Sequence, residues 1–371
     1  IVNRSASDEV IGKKEYREML IASTSARLVC GYVYTSAGEG ESTQDPVFGG
    51  HDIIAENGKL LKESELFSTG AVYGDIDMGR IASDRRRMNT FNVYRTDDYM
   101  HIPFLIDKAE TKLSRIFERT PFVPDDSFRR AERCEEIFNI QSMGLKKRLE
   151  HIKCRDAVIG ISGGLDSTLA LLVTVRAFDM SGIDRRGIHC ITMPCFGTTD
   201  RTYENACKLV KAAGASLTEI DIKEAVNIHF KDIAQDDSVH DITYENCQAR
   251  ERTQILMDIA NKDNGIVIGT GDMSELALGW ATYNGDHMSM YGVNAGVPKT
   301  LVRHLVQYRA DIAAGDNDSI LAGVLEDIIN TPVSPELLPP EDGRISQKTE
   351  DIVGPYELHD FFLYYLLRFG F

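Results

Sequence analysis

The residues that most clearly indicate chemistry form one turn, Ser162-Gly163-Gly164-Leu165-Asp166-Ser167. An apolar strand pattern from Ala157 precedes this turn, and an apolar helix pattern from Ser167 follows it. Such a turn aims backbone N–H groups into one concavity, and the following helix directs its N-terminal partial positive charge to the same point. Two adjacent glycines allow the close backbone approach that an anion-binding loop needs. The pattern therefore predicts a phosphate-binding turn.

Asp166 lies inside this predicted anion site. A carboxylate there is compatible with bound phosphates when a divalent cation lies between them, so the turn indicates a metal–nucleotide site. The chain has neither a GxxxxGK[ST] loop nor a GxGxxG loop at this place. The alternative is an ordinary strand–turn–helix in which Asp166 or Ser167 caps the helix.

A second loop, Gly269–Glu275 (GTGDMSE), follows another predicted strand and carries a hydroxyl and two carboxylates. Asp166 and Glu275 are the pair that we predict to bind Mg²⁺, because hard cations prefer carboxylate oxygens. The motif supports a second interpretation equally well. In it, Asp272 or Ser274 caps a helix and Glu275 is an acid of the first turn.

Further polar candidates lie on one predicted helix and around one Gly/Met-rich loop. Asn246 and Arg250 are four residues apart and share a helix face, whereas Arg252 points elsewhere. An Asn and an Arg facing a cleft suit a carboxylate or a ribose, and a solvated face is the alternative. Asp286 and Lys299 bracket the loop, and Lys299 at the start of a helix suits a phosphate.

Two aromatic residues follow Glu275 in the sequence. Trp280 is the only tryptophan of the chain, and Tyr283 lies three residues beyond it. Aromatic rings at such a place stack on flat ligands, although a role in the core is an equal alternative.

The elements that would position these loops alternate between strand and helix, which predicts a parallel sheet. In open α/β sheets, ligands bind at the carboxyl ends of the strands. We therefore expect four loops to converge there, over residues 162–167, 193–202, 269–275 and 284–299. The predicted strands are 157–161, 187–194, 216–222 and 265–269, and the predicted helices are 127–154, 202–213, 244–264, one from Thr300, and 361–367.

The first part of the chain has a different pattern. We predict a helix over 12–26, a buried strand over 27–35, and a hairpin over 50–63 around the Asn57-Gly58 turn. The predicted division is 1–90, a connector over 91–128 with three prolines, and 129–371. Because Ile1 lies inside a pattern typical of a protein interior and no Met precedes it, we expect a fragment of a longer protein.

Composition limits the classes of partner. The chain has 371 residues, a formal net charge of −16 and seven scattered cysteines. This charge argues against nucleic acid or an anionic membrane as the main partner, and the longest apolar run falls short of 18 residues, the length of a membrane span. An odd number of cysteines without a CxxC pair is typical of free thiols in the cytoplasm.

The SGGxDS turn resembles the pyrophosphatase loop of the ATP-pyrophosphatase (PP-loop) superfamily. Among the families of this superfamily, the glutamine-dependent NAD⁺ synthetases are the ones to which residues 159–309 are similar. Residues 331–358 resemble that family's mobile second loop. The resemblance implies ATP and Mg²⁺ as cofactors, and deamido-NAD⁺ with ammonia or glutamine as substrates. The implied reaction adenylates the nicotinate carboxylate, and ammonia then gives NAD⁺ and AMP. A homo-oligomer is also implied.

Residues 3–63 resemble the second half of a nitrilase-type amidase, through NxSAS at 3–7, GYVYTSAGEGEST at 31–43 and the Asn57-Gly58 hairpin. The Cys, Glu and Lys of such amidases precede this region, and we identify none of them here. Ser7 and Lys13 would hold glutamine, with a turn hydroxyl and a solvated cation as the alternatives. The expected fold is α/β, namely the C-terminal half of a nitrilase-like α/β sandwich followed by a doubly wound parallel-sheet PP-loop domain of the adenine nucleotide α-hydrolase type.

The resemblance also implies two sets of ligand contacts. ATP would contact Ser162, Gly163, Gly164, Leu165, Asp166, Ser167, Thr168, Leu169 and Thr270. Deamido-NAD⁺ would contact Asn246, Glu275, Trp280, Ala281, Thr282, Tyr283 and Lys348. To the dinucleotide site we add three residues on their own chemistry, Arg250, Asp286 and Lys299.

Two rival functions remain open. A catalytically silent scaffold or regulatory subunit would retain the nucleotide-binding turn without turnover. Another PP-loop amidotransferase, such as a GMP or asparagine synthetase, would share the turn, but the run over 269–302 resembles NAD⁺ synthetases.

Overall fold

The computed structural model describes residues 1–41, 45–90, 99–103, 105, 110, 112–331, 337–338 and 349–370. Two compact units are present: unit 1 comprises Ile1–Glu118 with Tyr364–Phe371, and unit 2 comprises Arg119–Leu363. The division into 1–90, 91–128 and 129–371 stays a prediction. All seven cysteines are free thiols. Among the described helices, none combines the length and apolar character that crossing a membrane requires.

Unit 1 contains a four-stranded sheet in the order β1-β2-β3-β4, in which β1 pairs parallel with β2 and the other pairs are antiparallel. Its small core consists of Ile21, Tyr34, Ile53 and Ala55. The elements of this part of the chain are β1 Val2–Ser5, α1 Lys13–Leu28, β2 Gly31–Ser36, β3 Ile53–Glu56, β4 Lys59–Glu63 and α2 Met78–Arg87.

The predicted hairpin is present, because Asn57 and Gly58 both have positive φ and join β3 to β4. The strand predicted from Arg27 is wrong at its start. Helix α1 continues to Leu28, and Val29 ends it in the left-handed region with its N–H bonded to carbonyls of the last turn. An apolar run of this length fits a helix end as well as a strand, so periodicity alone could not separate the two.

Unit 2 is built on a five-stranded parallel sheet in the order β7-β6-β5-β8-β9. This confirms the parallel α/β sheet predicted from the sequence. The elements after residue 119 are α3 Ser127–Ile152, β5 Ala157–Gly160, α4 Leu165–Ser181, β6 Ile188–Thr192, α5 Asp200–Ala213, β7 Ser216–Glu219, α6 Lys223–Asp232, α7 Ile242–Lys262, β8 Ile266–Gly269, α8 Met273–Leu278, β9 Tyr291–Gly292, α9 Lys299–Gly315, α10 Ser319–Ile329, α11 Thr349–Val353 and α12 Tyr356–Phe369.

Helices cover both faces of this sheet. Successive residues of β5 point to opposite faces, so Ala157 and Ile159 pack with α3, α4, α9 and α10, whereas Val158 packs with α6 and α7. From β5 the chain proceeds to β6 and β7 on one side, and to β8 and β9 on the other. The strand order therefore reverses between β5 and β8, which is where open α/β sheets bind ligands.

Some boundaries differ from the predictions. Helix α4 begins at Leu165 rather than Ser167, and the four long strands of this sheet are each shorter than predicted. Helices α2, α6, α10 and α11 and strands β1 and β9 lie outside the predicted elements. Helix α10 carries apolar residues at most positions, and so short an apolar run cannot be assigned to a helix or a strand from periodicity alone.

Candidate functional site

The glycine-rich turn connects the carboxyl end of β5 to α4. Gly164 precedes the first helical residue and provides no side-chain cap, so the first N–H groups of α4 are left for an incoming acceptor. Gly163 has a φ of 83°, and a Cβ on it would lie 2.1 Å from the carbonyl oxygen of Thr202. Only glycine therefore fits this position.

The hydroxyl groups of the turn form a local network. The Oγ atoms of Ser162 and Ser167 are 3.2 Å apart, and the Gly164 N–H donates to Ser162 Oγ at 3.3 Å. Ser162, Asp166 and Ser167 line the cavity described below, as does Thr270 at the end of β8. Leu165 and Leu169 instead pack in the hydrophobic core.

Three carboxylates surround one ammonium group beside this turn. The Nζ atom of Lys299 lies 2.7 Å from Asp166 Oδ2, 2.7 Å from Asp272 Oδ2 and 2.7 Å from Glu275 Oε1. Asp166 is on the first turn of α4, Asp272 precedes α8, Glu275 is on its first turn, and Lys299 is the first residue of α9. Three helix N-termini thus meet at the cluster, which we call the carboxylate–lysine cluster (Asp166, Asp272, Glu275 and Lys299).

Asp272 has two roles in this cluster. Its Oδ1 atom accepts hydrogen bonds from the backbone N–H groups of Ser274 and Glu275, at 2.8 and 3.0 Å, so it caps α8. Its other oxygen faces Lys299. The helix-cap interpretation of the sequence is therefore correct for Asp272, and the same side chain also joins the predicted pair Asp166 and Glu275. The sequence signal for this second role is that Asp272 and Glu275 lie in the same short GDMSE segment.

Burial dominates the electrostatics of the cluster. It raises the pKa of Asp272 to about 6 and, with the charge of Asp166, raises the pKa of Glu275 to about 8. Burial opposes the charge of Lys299, but the three carboxylates outweigh it and hold the pKa of the ammonium well above its usual value. Lys299 is therefore a permanent cation at neutral pH.

The cluster also fits a hard divalent cation. One oxygen from each of Asp166, Asp272 and Glu275 lies within 4.8 Å of the others. The Oδ1 atom of Asp166 is buried and has no hydrogen-bond partner among the described residues. Mg²⁺ takes oxygen ligands and is usually held by one or two carboxylates together with phosphates and water, so the residues present suit the predicted ion.

A cavity of about 510 Å³ opens at the carboxyl ends of β5, β6 and β8. Six of the residues predicted to contact the dinucleotide line it: Asn246, Glu275, Trp280, Ala281, Thr282 and Asp286. Thr282 links two other residues that line the cavity. Its hydroxyl donates to Asn246 Oδ1 at 2.7 Å, and its N–H donates to Asp286 Oδ1 at 2.7 Å.

Other predicted residues lie elsewhere. Arg250 is at the surface, where its Nε donates to the carbonyl of Tyr283 at 3.1 Å, and Tyr283 is 75% exposed. Neither side chain lines the cavity. In unit 1, Ser7 lies in the loop before α1, and Lys13 is ion-paired with Asp8 at 2.8 Å. Lys348 lies outside the described residues.

The sequence analysis did not identify Glu245 and placed Arg252 on another face, but both residues line the cavity. Arg252 lines the cavity together with Asn246 and Glu245, all on α7. Burial raises the pKa of Glu245. The cavity is lined by one face of α7, which carries residues 246, 249, 253 and 256 at the helical period. Arg252 is next to this face, so the period could have predicted its place at the edge of the cavity.

Helix α12 contacts the N-terminal ends of α8 and α9 and thereby supports the cluster. Buried Asp360 accepts hydrogen bonds from the Ser274 hydroxyl and from Thr300, whose N–H is 2.9 Å and whose hydroxyl is 2.6 Å from Oδ2. The ring centroid of buried Tyr356 lies 5.5 Å from Lys299 Nζ. These contacts fix the first turn of α9, which carries the lysine.

The sequence and the fold were also compared with those of known proteins. A family model described as NAD synthase matches residues 137–368. The glutamine-dependent NAD(+) synthetase of Mycobacterium leprae is 44% identical over all of this chain and 56% of its own length, and that of Aquifex aeolicus is 27% identical over 97% of this chain and 59% of its own. The chain thus spans a little over half of these relatives. The solved NMN synthetase of Francisella tularensis shares the fold, with a TM-score of 0.51, 23% identity, and coverage of 62% of this chain and 85% of that one.

Proposed function

Because this chain belongs to the NAD synthase family, we propose that it amidates deamido-NAD⁺ to NAD⁺ with ATP, releasing AMP and pyrophosphate. The ammonia would come from glutamine in the longer parent protein, as the names of the curated relatives suggest. One observation carries this proposal. The glycine-rich turn, the carboxylate–lysine cluster and the cavity meet where the strand order reverses.

The reaction would proceed in two displacements. An oxygen of the nicotinate carboxylate attacks the α-phosphorus of ATP, and the bond from that phosphorus to the bridging oxygen breaks to release pyrophosphate. Ammonia then attacks the activated carbonyl carbon, loses a proton and expels AMP. Each step moves negative charge onto a phosphate, so the site must stabilise anions as the charge develops.

The residues of the chain suit these demands. N–H groups of the turn and of the α4 N-terminus would bind phosphate oxygens, and Arg252 and Lys299 would supply positive charge. Asp166, Asp272 and Glu275 would hold Mg²⁺, which neutralises phosphate charge when bound. Asn246, fixed by Thr282, would orient the dinucleotide through hydrogen bonds.

Location and assembly belong to the same proposal. We place the protein in the cytoplasm, which is supported by seven free cysteines, since oxidising compartments favour disulfides. A homo-oligomer follows from the family resemblance, and light scattering on the purified protein would test it.

The deciding experiment incubates the chain with ATP, Mg²⁺, deamido-NAD⁺ and ammonium, and measures AMP and NAD⁺ together. We expect equal amounts of both products. Asp166→Asn should lower kcat/KM by about 100-fold or more, because it removes one charge from the proposed metal ligands. Asp179→Asn is the matched control, since Asp179 lies on the same helix and pairs with Arg185 at the surface.

Two further arms make the result decisive. Glutamine in place of ammonium should give no NAD⁺ with this polypeptide, because no glutaminase nucleophile is identified in it. A folded chain that binds ATP and forms neither product would defeat the proposal and favour a silent nucleotide-binding protein.

A further inference from the structure

The ammonium of Lys299 occupies the point where the candidate metal ligands converge. Its Nζ atom is 2.7 Å from one oxygen of each of Asp166, Asp272 and Glu275. One oxygen of each of these three carboxylates lies within 4.8 Å of the others, which is close enough to hold one cation. A lysine of the chain and a divalent ion would therefore use the same oxygens.

Lys299 is held in place at both ends. Its side chain is 5% exposed, and its backbone N–H donates to Ser274 Oγ at 2.9 Å. The next residue, Thr300, is fixed by buried Asp360, and the Tyr356 ring lies beside the ammonium. The lysine is thus a built part of the cluster, in contrast to a solvated surface lysine that reaches a carboxylate only part of the time.

The charges of the cluster explain why a cation is needed there. When ionised together, Asp166, Asp272 and Glu275 are close enough to repel one another strongly in a buried site, and Lys299 offsets part of that repulsion. A divalent ion at the same oxygens would be a second cation within contact distance of the ammonium. Like charges at that distance repel, so the two cations exclude each other unless the lysine moves.

We propose that Lys299 is a tethered competitor of the divalent cation, which holds the three carboxylates in the nucleotide-free protein and keeps the metal out until nucleotide phosphates arrive. The phosphates supply further oxygen ligands for the metal and an anionic partner for the displaced ammonium. Metal and nucleotide binding are thereby coupled. This inference rests on the proposed function only in taking the cluster as the metal–nucleotide site.

The test measures Mn²⁺ binding without any nucleotide, from the electron paramagnetic resonance signal of free Mn²⁺. Lys299→Met keeps most of the side-chain volume and removes the charge. We expect this variant to bind one Mn²⁺ at least about tenfold more tightly than the unaltered protein. Lys208→Met is the matched control, because Lys208 pairs with a single carboxylate, Glu204, at the surface. Its Mn²⁺ affinity should be unchanged.

A double variant assigns the new binding to the cluster. Adding Glu275→Gln to Lys299→Met should abolish the gain in affinity. Equal Mn²⁺ affinities of Lys299→Met and the unaltered protein would overturn the inference. So would a gain that survives Glu275→Gln, because the ion would then bind elsewhere.

The unaltered protein provides an independent measurement should Lys299→Met fail to fold. We expect it to bind no Mn²⁺ that depends on Glu275 when nucleotide is absent. Tight binding of one Mn²⁺ that Glu275→Gln removes would overturn the inference. These measurements use neither ATP nor deamido-NAD⁺, so failure to form NAD⁺ would defeat the proposed function alone.

Discussion

Gly163 sets the shape of the glycine-rich turn between β5 and α4. Its φ is positive, and a Cβ would lie 2.1 Å from the Thr202 carbonyl oxygen. We therefore expect Gly163→Ala to lower the free energy of unfolding by about 2–4 kcal/mol, measured by urea denaturation. Gly164→Ala is the control, since its Cβ would meet only Ser162 Oγ at 3.4 Å. Equal losses for both variants would contradict this account of the turn.

Glu275 and Asp272 should make stability depend on pH in metal-free buffer. Burial raises the pKa of Glu275 to about 8 and of Asp272 to about 6, so the folded protein binds more protons than the unfolded chain. Stability therefore falls as pH rises from the unfolded pKa values, about 4, to about 8. The raised pKa of Lys299 stabilises the fold throughout this window and is lost only at much higher pH.

Glu275→Gln tests this dependence. The variant should reduce the fall in free energy of unfolding between about pH 5 and about pH 8, because it removes the group with the largest rise in pKa within the window. Substitution of exposed Glu357 by Gln serves as the control. A slope unaffected by Glu275→Gln would show that other groups set the pH dependence.

Sequence reasoning found two of the four cluster residues as a pair. Asp166 and Glu275 follow strands whose carboxyl ends meet at one edge, and that adjacency was predictable from strand–helix alternation. Lys299 was predicted to contact phosphate, but its place between the carboxylates depends on how α9 packs against α8. No local pattern contains that information, because the lysine and Asp166 are brought together only by tertiary packing.

At the scale of elements, Asp360 on α12 holds the N-termini of α8 and α9 through Ser274 and Thr300. Pro298 precedes α9 and supplies no side-chain cap, so Asp360 takes that role from another helix. Asp360→Ala should lower the free energy of unfolding by about 2–4 kcal/mol, because it leaves buried donors unpaired. It should also raise KM for ATP by displacing Lys299.

The control for Asp360→Ala lies on the same helix. Glu357→Ala removes an exposed carboxylate and should change stability by less than about 0.5 kcal/mol. Urea denaturation and ATP-dependent kinetics on both variants separate the two effects. Loss of stability with an unchanged KM would mean that Asp360 supports the fold without positioning the lysine.

In unit 1, an ion pair between buried Glu56 and partly buried Arg115 joins β3 to the segment 112–118. Glu56 is 1% exposed and accepts two hydrogen bonds from Arg115, at 2.7 and 2.9 Å. Arg115→Met would leave this carboxylate with Arg80 and the Asp77 N–H as its remaining described partners, and should cost about 2–3 kcal/mol in unfolding free energy. Lys112→Met, at an exposed position of the same segment, should cost little. Similar losses for both would contradict a specific role for the pair.

The elements that sequence reasoning located share one property, namely a local signal. The Asn57-Gly58 hairpin has residues suited to two positive φ values, and α5 ends at Gly214, which adopts the left-handed conformation. The end of α1 had no such signal, because Val29 takes the left-handed conformation that usually belongs to glycine. Tertiary packing overrides local preference there, so the boundary could not be predicted.

At the scale of the whole molecule, the net negative charge of the chain should repel the proposed substrates. The chain carries a net charge of −16, and both ATP and deamido-NAD⁺ are anions. Within the described part of the chain, the cavity and cluster contain more acidic than basic side chains even when Glu275 is neutral: Asp166, Glu245, Asp272 and Asp286 against Arg252 and Lys299. Without a metal, the local and the overall fields therefore both repel phosphate.

This repulsion predicts an unusual salt dependence in metal-free buffer. Screening lengths shrink from tens of ångströms at low salt to about 8–10 Å near physiological ionic strength, so added salt should weaken the repulsion. A non-hydrolysable ATP analogue should bind several-fold more tightly at about 200 mM than at about 20 mM KCl when EDTA is present. Uncharged adenosine is the control, and its affinity should not change. Weaker binding of the analogue at higher salt would show that the turn and the α4 N-terminus outweigh the acidic groups even without a metal.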